Sequence, residues 1–149
     1  MKNNFLIFFC FLLIGCTTTN IPSYIQNKNP YEKEFYADFD AVFKAAQESL
    51  KELGWEIVKT SDPSEYERFP VVENAGRQTL LFTEVRQTSM FIGSRYARIN
   101  VYLREVSENS TTMEIRYLTV TSLVFKNFTN YKNDAAVTRL FDYIEKKLK

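Results

Sequence analysis

Apolar residues recur at helical spacing in the segment DFDAVFKAAQESLKELG. They follow the i, i+3, i+4, i+7 pattern of an amphipathic helix: Phe39, Val42, Phe43, Ala46, Leu50 and Leu53. Asp38 or Asp40 suits the amino-terminal cap, and Gly54 can adopt the left-handed conformation that often ends a helix. The pattern predicts a first helix over residues 40–53.

A second helical stripe lies in DAAVTRLFDYIEKKLK. Its apolar positions are Val137, Leu140, Phe141, Ile144 and Leu148. Asn133 or Asp134 can cap the amino end, and three lysines follow where the helix dipole favours positive charge. We expect a helix from residue 134 to residue 149.

Between the two helices, alternating apolar and β-branched residues predict four strands. They cover residues 55–60, 79–87, 95–105 and 111–122. The segment 61–78 contains two prolines and a glycine and is long for a connection inside a compact domain. We interpret it either as a functional loop or as a loop in which FPVV adds a short edge strand.

The third and fourth predicted strands can be aligned by their apolar positions. A turn near Glu108 places the apolar residues in opposite pairs: Leu103 with Met113, Val101 with Ile115, Ile99 with Tyr117, and Ala97 with Thr119. A shift of one residue would move each apolar set to the other face, so the pattern specifies this register.

The predicted order is helix, four strands, helix. Sequential antiparallel strands with two amphipathic helices predict an α+β fold. We expect a two-layer sandwich with a four-stranded antiparallel sheet, both helices on one face, and the order α-β-β-β-β-α.

The amino terminus has a different pattern. Lys2 precedes an apolar run over residues 5–14, which has the length of the apolar region of a signal peptide. A membrane-spanning helix needs roughly 20 apolar residues, and polar residues arrive too early for that here.

The run Leu13-Ile14-Gly15-Cys16 resembles the lipobox of bacterial lipoproteins. The resemblance implies cleavage before Cys16, a diacylglyceryl group on its thiol, and usually acylation of the new amino terminus. Thr17 stands where enterobacterial lipoproteins of the inner membrane carry aspartate, which favours the outer membrane facing the periplasm. The alternative is an ordinary cleaved signal with a chance cysteine.

This resemblance divides the chain into a signal peptide (1–15), a lipidated cysteine with a flexible tether (16–36), and one α+β domain (37–149). In layout, and in the run SLKELGWEI, the domain is similar to the small helix-and-sheet domains of bacterial envelope lipoproteins. These include the domains of one of the lipoproteins of the outer-membrane β-barrel assembly machine.

Composition excludes several kinds of chemistry. The chain has no histidine, and the lipobox resemblance implies that Cys10 is removed with the signal peptide and Cys16 is lipidated, so zinc sites and thiol or histidine catalysis are not expected. With 19 basic and 18 acidic side chains, nothing in the overall charge favours nucleic acid. We expect no metal and no cofactor.

Carboxylates are frequent in and beside the 61–78 loop: Asp62, Glu65, Glu67 and Glu73. A pair of them could act as general acid and base. The simpler interpretation is a solvated surface loop.

Three surfaces are candidates for binding. One is a tyrosine- and arginine-rich sheet face formed by Tyr96, Arg98, Asn100, Tyr102 and Arg104, a composition that interfaces favour. It could equally be a solvated face on which Arg104 pairs with Glu114.

The second surface is SMFIGS, where Met90, Phe91 and Ile92 lie near a hairpin end. They form an apolar tip if exposed, or are buried if the strand simply continues. The third contains Phe125, Phe128 and Tyr131, which either cover one end of the core or form the rim of a pocket.

Two functional hypotheses follow. The first is a lipid-anchored, non-enzymatic envelope protein that binds or helps assemble another envelope component. The second is an envelope hydrolase or glycan-binding enzyme that uses carboxylates of the 61–78 loop.

Overall fold

The computed structural model describes residues 19–67, 76–124 and 126–149. Its elements in chain order are β1 (Tyr31–Phe35), α1 (Phe39–Glu52), β2 (Ile57–Ser61), β3 (Gln78–Thr83), β4 (Arg86–Met90), β5 (Gly93–Ser107), β6 (Ser110–Leu123), β7 (Lys126–Asn130) and α2 (Asp134–Leu148). A single 3-10 turn, Pro63–Glu65, follows β2.

A long antiparallel hairpin of β5 and β6 forms the centre of the sheet. Leu103 lies opposite Met113, and Ile99 lies opposite Tyr117. The strands end at Ser107 and resume at Ser110, which places Glu108 in the turn. The predicted register and turn are therefore confirmed.

Different strands flank the two halves of this hairpin, and every pairing is antiparallel. In the half next to the Glu108 turn, β1 pairs with β6, while β3 pairs with β5 and β2 with β3. In the other half, which we call the distal half, β4 pairs with residues 93–97 of β5 and β7 with residues 119–123 of β6.

The prediction of a four-stranded sheet is wrong, although the α+β class holds. The described residues form seven strands in the order β-α-β-β-β-β-β-β-α. The predicted strand 79–87 is interrupted at residues 84–85, because β3 and β4 pair with different halves of β5. Strand β7 follows the central hairpin, and β1 lies in the segment predicted as a tether.

Both helices pack on one face of the sheet, around a core shared with β5 and β6. The cap of α1 is Asp38, whose carboxylate accepts a hydrogen bond from the Ala41 amide at 2.9 Å. Asn133 caps α2 in the same way. The core contains residues from each layer, among them Val42, Leu50, Val101, Ile115 and Leu140.

The opposite sheet face is partly covered by the N-terminal segment, residues 21–25. Ile25 is fully buried against Leu118 and Val120. Its amide donates to Asn100 Oδ1 at 2.7 Å, and Asn100 Nδ2 donates to the Ser23 carbonyl at 3.1 Å. This segment, predicted as flexible tether, therefore lies on the sheet. Within the described ranges, no helix is long and apolar enough to span a membrane.

Candidate functional site

Three of the eight exposed large apolar residues in the described part of the chain lie at the end of the distal half. Strands β4 and β5 are joined by a two-residue turn, because Met90 pairs directly with Gly93. Phe91 and Ile92 form this turn, and their side chains are 103% and 57% exposed, whereas Met90 is half-buried. The turn lies at the end of two strands, so its side chains point away from the core.

Gly93 fixes the position of this turn. Its φ of +113° is one that other residues rarely adopt, and a Cβ at this position would collide with the Ser122 carbonyl of β6. The absence of a side chain therefore allows β5 to begin directly against the end of β6.

A second turn lies beside the first. Leu123 of β6 pairs with Lys126 of β7, and Val124, which follows Leu123 in a turn, is more than half exposed. The backbone of Leu123 is close to Gly93, which places the two turns side by side. We call the side chains of Phe91, Ile92 and Val124 the apolar end.

The predicted tyrosine and arginine face is only partly accessible. Arg98 donates to the Pro22 carbonyl at 2.7 Å, and burial lowers the pKa of Arg98. Tyr102 donates to Gln78 Oε1 at 2.6 Å, and burial raises the pKa of Tyr102. Asn100 is buried under the N-terminal segment. Tyr96 and Arg104 remain half-exposed at the two ends of the row.

Glu114, the expected partner of Arg104, instead contacts Arg116. Arg116 Nη2 lies 3.2 Å from Glu114 and 2.7 Å from Glu67, and Arg116 Nη1 donates to the Tyr24 hydroxyl. Burial raises the pKa of Glu114, and the positive charge of Arg116 opposes that shift. We call these four residues the Arg116 cluster; it links the N-terminal segment, the 61–78 loop and β6.

The described carboxylates of the 61–78 loop have local partners. Asp62 accepts from Ser64, which lowers the pKa of Asp62. Glu65 accepts from Ser61 at 2.7 Å, a hydrogen bond that lowers the pKa of Glu65. Glu67 belongs to the Arg116 cluster. These contacts hold the start of the loop, while Glu73 lies outside the described residues.

No protein-family model matches the chain, and a search of curated proteins finds no match. Where the chain is described, no group of three acidic or cysteine side chains is placed to hold a metal ion.

The sequence-predicted sites divide among several regions. The structure places Phe91 and Ile92 near Val124. The sequence analysis did not single out Val124, although Val124 lies in the apolar run SLVF. Phe128 and Tyr131 are 48% and 42% exposed, so of the two alternatives the one in which they cover one end of the core does not hold for these residues. Cys16 and Phe125 lie outside the described residues.

Proposed function

We propose that this protein is a lipid-anchored, non-enzymatic module of the bacterial cell envelope. It binds another envelope protein through the apolar end, formed by Phe91, Ile92 and Val124. The lipobox-like run ending at Cys16 supports the anchor, and the same resemblance favours the outer membrane facing the periplasm.

The fully exposed Phe91 ring is the observation that carries the proposal. Gly93 adopts the positive φ at this hairpin turn, and neither Phe91 nor Ile92 does, so the backbone does not restrict which side chains occupy these two positions. Within the described structure, Phe91 is fully exposed and Ile92 is more than half exposed. Aromatic and aliphatic side chains of this kind become stabilising when a partner removes them from water, and aromatic residues are enriched in interface cores.

The lipid would hold the domain close to the bilayer. Ile21 already packs beside Leu118 and Val120 on the sheet. Only the backbone from Cys16 to Ile21 therefore separates the lipid from the sheet. At roughly 3.3–3.6 Å per residue, this connection reaches less than about 20 Å. A partner of the apolar end is therefore expected among membrane-associated proteins.

Site-specific photo-crosslinking in intact cells tests the proposal. A photoreactive amino acid replaces Phe91 in one version and Lys44, an exposed residue of α1, in the other. We expect one discrete protein adduct from position 91 and none of that mass from position 44. Similar adducts from both positions would contradict a specific site.

A matched pair of substitutions tests specificity. Ile92 and Val106 are 57% and 55% exposed, but they lie at opposite ends of β5, about 45 Å apart along the strand. Ile92→Asp is expected to abolish the adduct at position 91, and Val106→Asp is expected to preserve it. Equal effects of the two substitutions would refute the apolar end as the interface.

A further inference from the structure

An open cavity of about 250 Å³ lies on the face of the sheet that carries the helices, where the distal half extends past the ends of the helices. Three arginines from three elements line it: Arg86 of β4, Arg95 of β5 and Arg139 of α2. Trp55 and Tyr117 contribute its aromatic wall. The cavity is separate from the apolar end.

The strand register brings two of these arginines to the same face. Arg86 lies opposite Ala97, and Thr88 lies opposite Arg95, so residues 86, 88, 95 and 97 share one side of the sheet. This is the side on which α2 packs, and α2 supplies Arg139 to the cavity.

The Arg86 side chain is held in place before any ligand binds. Its guanidinium carbon lies 4.6 Å from the centroid of the Trp55 ring, and Nη1 donates to the Leu53 carbonyl at 3.1 Å. Trp55 is buried and packs edge-on against Tyr117, with 6.2 Å between the ring centroids. A preorganised guanidinium loses little freedom when it binds an anion.

The charged residues that line the cavity are all basic. Its lining contains no acidic side chain, and no ion pair found among the described residues involves Arg86, Arg95 or Arg139. In contrast, Arg77 and Arg116 are paired with carboxylates. Three like charges around one cavity repel each other, and a bound anion would relieve that repulsion.

We propose that this cavity binds a phosphate monoester or inorganic phosphate. A single carboxylate offers two oxygens, which one guanidinium can already occupy in a bidentate pair. A phosphate group offers three peripheral oxygens and close to two negative charges, and it can therefore bind three guanidinium groups. The volume lies below the roughly 300–1,000 Å³ of sites for drug-sized ligands, which suits a phosphate group and its immediate substituent.

Trp55 provides a direct readout because it is the single tryptophan of the chain. The full chain in non-ionic detergent is titrated with inorganic phosphate, while chloride at equal ionic strength serves as the reference. We expect a saturable change in tryptophan emission with phosphate and none with chloride. Arg95→Gln and Arg139→Gln are each expected to raise the Kd about tenfold, as for loss of a charge-assisted hydrogen bond.

Lys44→Gln is the matched control. It removes one exposed positive charge from α1, and Lys44 does not line the cavity. We expect this variant to retain the phosphate affinity of the parent. Equal Kd values for Arg95→Gln, Arg139→Gln and Lys44→Gln would overturn the proposal. Circular dichroism checks that each variant is folded.

A second experiment distinguishes a free phosphate from a lipid headgroup as the ligand of the cavity. The protein is reconstituted into phosphatidylcholine vesicles with or without phosphatidic acid, whose headgroup is a phosphate monoester. A response to inorganic phosphate supports a soluble ligand, and an arginine-dependent response to phosphatidic acid alone supports a lipid headgroup. A response to neither would overturn the proposal.

Discussion

Replacing Arg116 by methionine is the most direct test of how the N-terminal segment and the 61–78 loop are held on the sheet. Methionine retains much of the apolar volume but removes the guanidinium. Glu67 and Glu114 then remain close together without their cation, and Tyr24 loses a hydrogen-bond partner. We expect a lower free energy of unfolding.

The size of the loss follows from burial. The Arg116 side chain is 9% exposed, and those of Glu67 and Glu114 are 15% and 22% exposed. Removing one partner of a buried ion pair costs about 3–5 kcal/mol. Because both carboxylates retain some contact with water, we expect a loss near the lower end, about 3 kcal/mol. That is a large share of the roughly 5–15 kcal/mol that stabilises a typical domain.

Urea denaturation of the chain starting at residue 17, which lacks the predicted anchor, measures this loss. The loss is expected to depend on pH. In the variant, burial no longer opposed by Arg116 raises the pKa of Glu114 further above its ordinary 4.5. A raised pKa in the folded state means that folding favours the protonated form, so stability rises as pH falls through that pKa. The deficit relative to the parent should therefore be largest near pH 7 and smaller near pH 4.5.

A neutral version of the cluster is the control. Combining Arg116→Met with Glu67→Gln and Glu114→Gln removes all three charges, and neutral replacement of a buried ionic group is often nearly cost-free. We expect the triple variant to recover most of the lost stability at pH 7. A single-variant loss below about 1 kcal/mol, or a triple variant no more stable than the single one, would refute this reasoning.

Three further substitutions test other parts of the structure. Ile25→Ala should lower the free energy of unfolding by about 2–4 kcal/mol, because the side chain is fully buried against Leu118. A loss under about 0.5 kcal/mol, measured by urea denaturation, would contradict the packing of the N-terminal segment on the sheet. Gly93→Ala should lower the Tm by several degrees in calorimetry, since the new Cβ meets Ser122; an unchanged Tm would oppose this. Cys16→Ser should abolish labelling by radioactive palmitate and release the protein from membranes, and continued membrane association at mature size would refute the lipobox interpretation.

The central hairpin and the helices could be predicted because their patterns are local. Alternation along β5 and β6 admits one register that buries Val101, Ile115 and their neighbours together. The helix α1 likewise follows from its apolar stripe and the Asp38 cap. In both cases, neighbouring residues carry the information about which face is buried.

The additional strands could not be assigned from local pattern. Strand β1 is a short segment with lysine and glutamate, and its strand conformation depends on pairing with β6. Strand β7 is exposed along its whole length and likewise pairs with β6. Their extended conformation comes from backbone hydrogen bonds to β6, which lies far along the chain from β1 and directly before β7, and side-chain periodicity does not record these bonds.

The candidate sites likewise divide into residues that the local sequence indicated and residues that only the fold brings together. The sequence indicated Phe91 and Ile92 as a possible apolar tip, but whether they were exposed depended on the two-residue turn between β4 and β5. It did not indicate the arginine-lined cavity. Arg86 and Arg95 lie on the two strands of one hairpin, whereas Arg139 lies far along the chain in α2. Only the register of β4 with β5 and the docking of α2 bring the three to one cavity.

By itself, the sequence determined the amphipathic elements, the register of the central hairpin and the residue types from which any site must be built. Tertiary structure decided the width of the sheet, the burial of Ile25 and Asn100, and the convergence of three arginines. The physical reason is the distance along the chain over which each interaction acts. Periodicity and capping act between residues a few positions apart, whereas the pairing of β1 with β6 and the docking of α2 beside β4 and β5 join residues tens of positions apart.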